Sequence, residues 1–480
     1  MGYSPENNPY VPGDPYSYDL KWIVKKFKNF EKPEQYAEAA AQSALEAKAS
    51  ADEAAELLEE FKELVPISPL YYGAVGDGVT DDTAALQACI QDYKSINLEG
   101  RTYKITSALN FTNRKNIEFY NGSIVHEAGT THNTFYGEGA ENIYIHDVTF
   151  DARGNDPLVT YVWPDNVQAC AIISHGSSNI YFIKNKVLNY NYGLYLAGAD
   201  ESALQYGSIN SQIQFNIFDN CNSPVDTYGQ NVDVSFNYFK GTTGNAIQIE
   251  PVGSIGNITD PLNSSTFWES AYSVKVSNNY IITTSGKAIT LFNNTLSAEV
   301  SGNFIVDFEQ AIVGTAAGVK IAHNTIIKQK AQTHDANSRP YHYKAAIEVV
   351  NAIIVDNNII NCVVGIYARG VNIISNCIFD TFDICCICIY ALTGQTQPSI
   401  VSNISITDTT AMPADIWYGC RPLGVFNGYA VFANCVVDTA KNPFYIINNS
   451  SSGAKMVNVI TTTANSDTFQ SLSGVNYYNN

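Results

Sequence analysis

Two carboxylates stand out for chemistry. Asp226 lies in Pro224-Val-Asp-Thr-Tyr228 and Glu250 in Ala246-Ile-Gln-Ile-Glu250. Similar short segments, opening on a small residue and then alternating, recur as Gly193-Leu-Tyr-Leu-Ala197, Ala288-Ile-Thr-Leu-Phe292, Ala346-Ile-Glu-Val-Val350 and Gly365-Ile-Tyr-Ala-Arg369. Strand alternation sends Leu, Val and Ile to one face and the other residues to the opposite one. Stacked on each other, the segments form two outer columns. One reads Tyr195, Asp226, Gln248, Thr290, Val313, Glu348, Tyr367; the other reads His175, Ala197, Tyr228, Glu250, Phe292, Thr315, Val350, Arg369. Asp226 and Glu250 then fall on neighbouring segments, two residues out of step, roughly 7–8 Å apart by backbone. Glycoside hydrolysis uses two carboxylates about 5–9 Å apart, one as acid and one as base or nucleophile. Tyr195 and Tyr228 frame this pair, and Gln248, His175, Glu348 and Arg369 share its face as substrate-binding candidates. Acids also face solvent on any polar sheet, so the pair alone does not establish catalysis.

Three insertions border this face. Trp163 lies in the stretch 151–165, and Asp260, Trp268 and Glu269 lie in 251–272. Indole rings beside acids suit a pyranose, although they also anchor long loops. The stretch 329–344 gathers His334, Arg339, His342, Tyr343 and Lys344. A base and a cation together are what a polysaccharide lyase needs, and Glu348 and Arg369 follow closely. Three readings stay open: a hydrolase at Asp226 and Glu250, a lyase at 329–344, and a groove that binds glycan without cleaving it.

The elements that must position these residues come from a repeat. A phrase of apolar, any, apolar, any, any, Asn, apolar recurs from Asn116 to Val459, as in Asn231-Val-Asp-Val-Ser-Phe-Asn-Tyr-Phe239 and Ser273-Val-Lys-Val-Ser-Asn-Asn-Tyr-Ile281. Its Asn slot aligns as Asn185, Asn216, Asn237, Asn279, Asn303, Asn324, Asn358, Asn376, Asn403, Asn434 and Asn458, with Asp147 earlier. Steps run from 18 residues (Asn358 to Asn376) to 42 (Asn237 to Asn279). A strand phrase at the period of one coil is a solenoid signature. Short steps are bare coils and long ones carry loops. Asn suits the slot because it tolerates a left-handed turn and stacks its amide between coils.

Upstream, residues 34–65 form an Ala- and Glu-rich helix ended by Pro66 and Pro69. Its seam (Ala37, Ala40, Ala44, Ala47, Ala51, Ala54, Leu58, Phe61, Val65) keeps 3-4 spacing, a coiled-coil pattern; packing along its own solenoid is the alternative. Before it, Leu20, Ile23, Val24 and Phe27 give one amphipathic turn on a short arm, suited to docking on something larger or to folding back on its neighbour. After it, Asp81 and Asp82 are placed to cap a helix striped by Leu86, Cys89, Ile90 and Tyr93, which would cover the open end of the first coil. The expected organisation is 1–33 arm, 34–69 heptad helix, 70–115 capping helix and entry strands, and 116–480 solenoid body.

Charge and cysteines narrow the partners. The net charge of −19 argues against nucleic acid and anionic membranes. No stretch is apolar enough to span a bilayer, and the N-terminus lacks the pattern of a secretory signal. Of ten cysteines, Cys170, Cys362, Cys377, Cys385, Cys386, Cys388 and Cys435 lie inside apolar strands, as reduced core thiols do. The Cys385–Cys388 cluster has no second pair at zinc spacing, and the Gly/Asp run 73–82 fits neither a phosphate loop nor a calcium loop. No metal and no cofactor is expected.

The run Gly73-Ala-Val-Gly-Asp-Gly-Val-Thr-Asp-Asp-Thr-Ala-Ala-Leu-Gln87 resembles the opening motif of pectate-lyase-like right-handed β-helix proteins, a group that includes polygalacturonase-type hydrolases, lyases and bacteriophage tailspike depolymerases. The arm Tyr16–Val24 resembles the virion-attachment leader of such phage proteins. The resemblance implies an all-β, right-handed, single-stranded parallel β-helix preceded by a helical, coiled-coil-like segment. It further implies a homotrimeric tail spike on a virion, made in the host cytoplasm without a signal peptide. Residues 1–33 would hold a phage tail protein, and the body would bind and degrade a bacterial surface polysaccharide. The acids of the polygalacturonase motif and the calcium ligands of secreted lyases are not found in any coil, which leaves the reaction open.

Overall fold

The computed structural model describes residues 33–126, 132–153, 170–197, 208–250, 273–283, 285–292, 297–314, 318–330, 344–390, 392, 397–409, 421–426, 429–437, 445–446, 453–461 and 470–471. The chain divides into two compact units, Met1–Val65 and Pro66–Asn480. In the first, helix α1 spans Pro33–Leu64. Its seam residues Ala40, Ala44, Ala47, Ala51, Ala54 and Leu58 are exposed, as are Leu45 and Leu57. The arm 1–32 lies outside the described residues, as do the side chains of Ala37 and Phe61.

The second unit is a right-handed parallel β-helix. Each regular coil has three short strands and therefore contributes to three parallel sheets. One coil reads Gln212–Gln214, Ile217–Asp219 and Ser223–Gln230. These pair in register with the next coil's Asp233–Ser235, Tyr238–Thr242 and Ile247–Glu250. The strands are parallel throughout because the chain returns to the same face once per turn. Inward residues form one continuous core, with Phe218 and Phe239 stacked 4.9 Å apart. This explains why two of the third-sheet segments open on Gly. A Cβ at Gly193 would sit 2.3 Å from the Pro224 carbonyl oxygen and 2.8 Å from the Phe218 ring; at Gly365 it would meet the Cys386 carbonyl oxygen and Phe379 as closely.

The corner between first and second sheets is where the repeated Asn does its work, although the roles expected of one residue fall on two. A residue with φ near +55° to +66° turns the corner: Lys184, Phe215, Phe236, Asn278, Gly302, His323 and Asp356. The next residue, Asn185, Asn216, Asn237, Asn279, Asn303, Asn324 or Asn357, is buried in a ladder. Asn279 is typical. Its Nδ2 donates to the Val234 carbonyl (2.9 Å) and to Asn303 Oδ1 (3.0 Å), while its Oδ1 accepts from the Asn237 backbone N–H (2.9 Å) and Asn237 Nδ2 (3.0 Å). The ladder therefore runs through Asn357, not Asn358 as the phrase alignment has it. Beyond it, Asn376, Asn403, Asn434 and Asn458 are themselves the left-handed corners, as Asp147 is, and Cys377, Ile404, Cys435 and Val459 take the inward slot. Phe215 and Phe236 are bulky residues in the left-handed region, which costs roughly 1–2 kcal/mol each; the ladder bonds on the following residue offset that strain.

Cysteines follow the same rule. Cys221, Cys362, Cys377 and Cys435 each come directly after a left-handed Asn and point inward, their thiols near backbone carbonyls. Cys89, Cys221, Cys362, Cys377, Cys385, Cys386, Cys388 and Cys435 are buried thiols that take part in no disulfide. Burial pushes the Cys221 thiol up to about 12 and the Cys377 thiol to about 11.

At the open end, α2 (Thr83–Asp92) buries Leu86, Cys89 and Ile90 in the core, as its stripe indicates. The acids before it are structural. Asp81, not the N-cap Asp82, bonds the first turn, accepting from the Thr83 backbone N–H at 3.1 Å. The buried Asp82 accepts from the backbone N–H groups of Val75 (2.6 Å) and Gly76 (3.1 Å), closing the Gly-rich turn instead.

Inside the first coils sits a polar chain. Thr134 Oγ1 is 2.7 Å from His126 Nε2 and 2.7 Å from the Tyr190 hydroxyl, all three residues buried. Desolvation, helped by His132, lowers the His126 pKa to about 4.

Two predictions follow from these contacts. Replacing Asn279 by Ala leaves buried ladder groups without partners, and unfolding should show a loss of about 2–4 kcal/mol, whereas Ala at the exposed corner Asn434 should cost about 1 kcal/mol. His126 is neutral when folded and protonates near 6.5 when unfolded. Stability should thus be full above pH 6.5 and fall by up to about 3 kcal/mol as pH drops towards 4. Thermal melts of His126→Gln should lack that part of the acid slope.

Candidate functional site

The third sheet carries the predicted columns in the predicted register. Tyr195 pairs with Asp226, Asp226 with Gln248, Gln248 with Thr290, Thr290 with Val313, Val313 with Glu348, and Glu348 with Tyr367. In the second column His175 pairs with Ala197, Tyr228 with Glu250, and Val350 with Arg369. Asp226 and Glu250 thus stand on adjacent coils, diagonal to each other. The side chains of His175, Tyr228 and Glu250 lie outside the described residues, as do Trp163 and Trp268 entirely.

One expectation needs correction. Alternation suggests that the outer column faces solvent, yet Asp226 is 3 % exposed and Tyr195 4 %. Tyr195 packs edge-on to Tyr192, with ring centroids 5.6 Å apart, so it is not an open platform for a sugar ring. Thr290 is buried as well. Pointing away from the bore is not the same as reaching water, because burial depends on what lies over the sheet.

The polar groups on this face are organised by amides. Gln248 Nε2 donates to Asp226 Oδ2 at 3.2 Å, and Asn245 Nδ2 donates to Gln248 Oε1 at 2.5 Å. Because Asn245 occupies the Gln248 oxygen, the Gln248 amide is turned with its N–H towards Asp226. A donated N–H suits a carboxylate that must stay ionised. Four coils further on an amide again meets a carboxylate, here directly from the preceding coil, with Gln310 Nε2 donating to Glu348 Oε2 at 2.9 Å. Asn245 and Gln310 were not legible as site residues, but they share a signal. Each is an amide directly before the small residue that opens a third-sheet segment (Ala246, Ala311).

Glu348 and Arg369 stand in the same diagonal relation as Asp226 and Glu250: Glu348 lies opposite Tyr367, and Arg369 is two residues on. Their charged ends come within 3.8 Å. A diagonal on this face is therefore short enough for side chains to meet. Burial, with Cys388 nearby, raises the Tyr367 pKa well above the ordinary phenol value, so it is no base at neutral pH.

The 329–344 stretch is represented by its ends. Gln329 is a buried clamp: its Nε2 donates to the carbonyls of Glu309 (2.8 Å) and Lys344 (2.6 Å), and its Oε1 accepts from the Val363 N–H (2.9 Å). Lys344 is paired with Glu309. These two serve the coil, and the bases His334, Arg339 and His342 lie outside the described residues. Away from this face, the exposed rings of Phe215 and Phe236 stack on each other with centroids 5.0 Å apart. Among the described residues no cluster of His, Cys, Asp and Glu is disposed to hold a metal ion, and no helix is long and apolar enough to cross a membrane.

Comparison with known proteins places this geometry. A family model described as the N terminal extension of bacteriophage endosialidase matches residues 74–131. Among solved structures, the N-terminal fragment of gene product 12 of bacteriophage phi29 is 15 % identical, covering 86 % of this chain and 73 % of that one at a TM-score of 0.50. The pre-mature form of the same phage protein is 14 % identical, covering 87 % of this chain and 59 % of that one at a TM-score of 0.54. An exopolygalacturonase from Thermotoga maritima is 11 % identical, covering 85 % and 96 % at 0.49. No curated protein matches in sequence. The two phage structures share the fold of this chain, a right-handed parallel β-helix.

Proposed function

We propose that this protein is a bacteriophage tail spike that binds a bacterial surface polysaccharide and hydrolyses it at Asp226 and Glu250. The observation that carries the reading is the register of the third sheet, which sets the two carboxylates diagonally on adjacent coils. The match of residues 74–131 to a phage endosialidase extension supports the tail location. Residues 1–33 would attach to a phage tail protein, and the exposed seam of α1 would join three chains.

Hydrolysis then divides the work between the two acids. Asp226, held by the Gln248 amide, serves as the ionised base or nucleophile. Glu250 protonates the leaving oxygen as the glycosidic bond breaks. Water supplies the hydroxyl of the new reducing end and the proton that restores the acid. No cofactor takes part.

A second reading, a receptor-binding spike without chemistry, draws on the burial of Asp226. A lyase working from the 329–344 stretch is the third. Digestion of purified capsule, exopolysaccharide and O-antigen polymers separates them. New reducing ends should appear with the wild-type protein and fall at least 100-fold in both Asp226→Asn and Glu250→Gln, with melting unchanged. Cleavage retained in either variant would remove that residue from the site. Ultraviolet absorbance of an unsaturated product would favour the lyase, and binding without any product the receptor spike. The anomeric configuration of the first product, read by NMR, should be inverted for a widely spaced pair and retained for a close one.

A further inference from the structure

Arg369 makes little use of its guanidinium. Its side chain is 32 % exposed, and Glu348 (26 % exposed), its one ion-pair neighbour among the described residues, lies 3.8 Å from Nη2. That distance allows attraction but no hydrogen bond. Nε is buried and has no hydrogen-bond partner among the described residues. Arg369 follows Tyr367 by two residues and lies opposite Tyr390 in register, and Gln310 fixes the far oxygen of Glu348. A donor and an acceptor are thus held 3.8 Å apart at the edge of solvent.

We infer that Glu348 and Arg369 form a second sugar-binding subsite, which recognises an uncharged, hydroxyl-bearing residue of the polymer by inserting one hydroxyl between them. A hydroxyl oxygen about 2.8 Å from both ends closes this gap with two charge-assisted hydrogen bonds, accepting from Arg369 and donating to Glu348. Only a group that both donates and accepts can do so. A carboxylate accepts only and would face the charge of Glu348; an ammonium donates only and would face Arg369. The subsite takes a neutral sugar even if the polymer is charged elsewhere. In register it lies four coils from Asp226, about 19 Å at ~4.8 Å per coil, so an occupying chain would extend several sugar units from the reacting bond. The inference rests on the polysaccharide reading above but not on hydrolysis.

The test uses the full-length chain carrying Asp226→Asn, so that bound polymer persists. Retention is measured on immobilised neutral and acidic capsule and O-antigen polymers. Arg369→Ala and Glu348→Gln should each weaken retention about tenfold, and the double variant should lose little more than either single one, since both hold one hydroxyl. Arg369→Lys keeps the charge and the stem but not the planar fork, and should also weaken binding; melting curves confirm folding. Unchanged retention in all variants would overturn the subsite and leave the polysaccharide reading standing. Loss confined to acidic polymers would assign Arg369 to a carboxylate and overturn the hydroxyl assignment. Failure of the parent chain to retain any polymer would overturn both.

Discussion

The asparagine ladder at one corner is the constraint on which the rest depends. A parallel β-helix must turn its backbone sharply several times per coil, and each turn threatens to bury peptide groups without partners. Here a left-handed residue makes the bend, and the amide after it satisfies the groups the bend exposes. Asn216, Asn237, Asn279, Asn303 and Asn324 each bond above and below, so one coil sets the height and angle of the next. Register follows, and register decides which side chains meet on the outer faces. A slip of one residue anywhere below Asn237 would turn Asp226 or Gln248 into the bore.

The third sheet shows how such a scaffold builds a polar surface. Its inward residues are set by volume, with Gly193 and Gly365 yielding to Phe218 and Phe379. Its outward residues are free to differ, and they do so in two polar clusters, one at Asp226 and Gln248 and one at Glu348 and Arg369. Thr290 and Val313 lie between them. Each cluster is steered by an amide from the residue before the segment, Asn245 in one and Gln310 in the other. Repetition therefore supplies positioning groups at equivalent places.

Much of this was legible in the sequence because period two and a repeating corner are strong signals. The pairing of Tyr195, Asp226, Gln248, Thr290, Val313, Glu348 and Tyr367 follows from aligning segments on their small first residue. The split between corner and ladder was less legible, because both slots favour Asn for different reasons. Lys184, Phe215 and Phe236 hide the corner where it is not Asn, and Asp356-Asn357-Asn358 offers two candidates for one slot. Burial of the outer column was not legible at all. Alternation along a strand reports direction, whereas the exposure of Asp226 also depends on its neighbours on adjacent coils, among them Gln248.

The ladder also ignores chain length. Asn216 to Asn237 is a step of 21 residues and Asn237 to Asn279 a step of 42, yet the amide bonds across them measure 2.9 and 3.0 Å. The ladder spacing is the same across the short step and the long one. Evolution, or an engineer, can therefore exchange the segment between Glu250 and Ser273 for one of different length and composition without re-optimising the coils that flank it. Such a body can diversify its recognition by swapping insertions and keep its stability as a separate, inherited property.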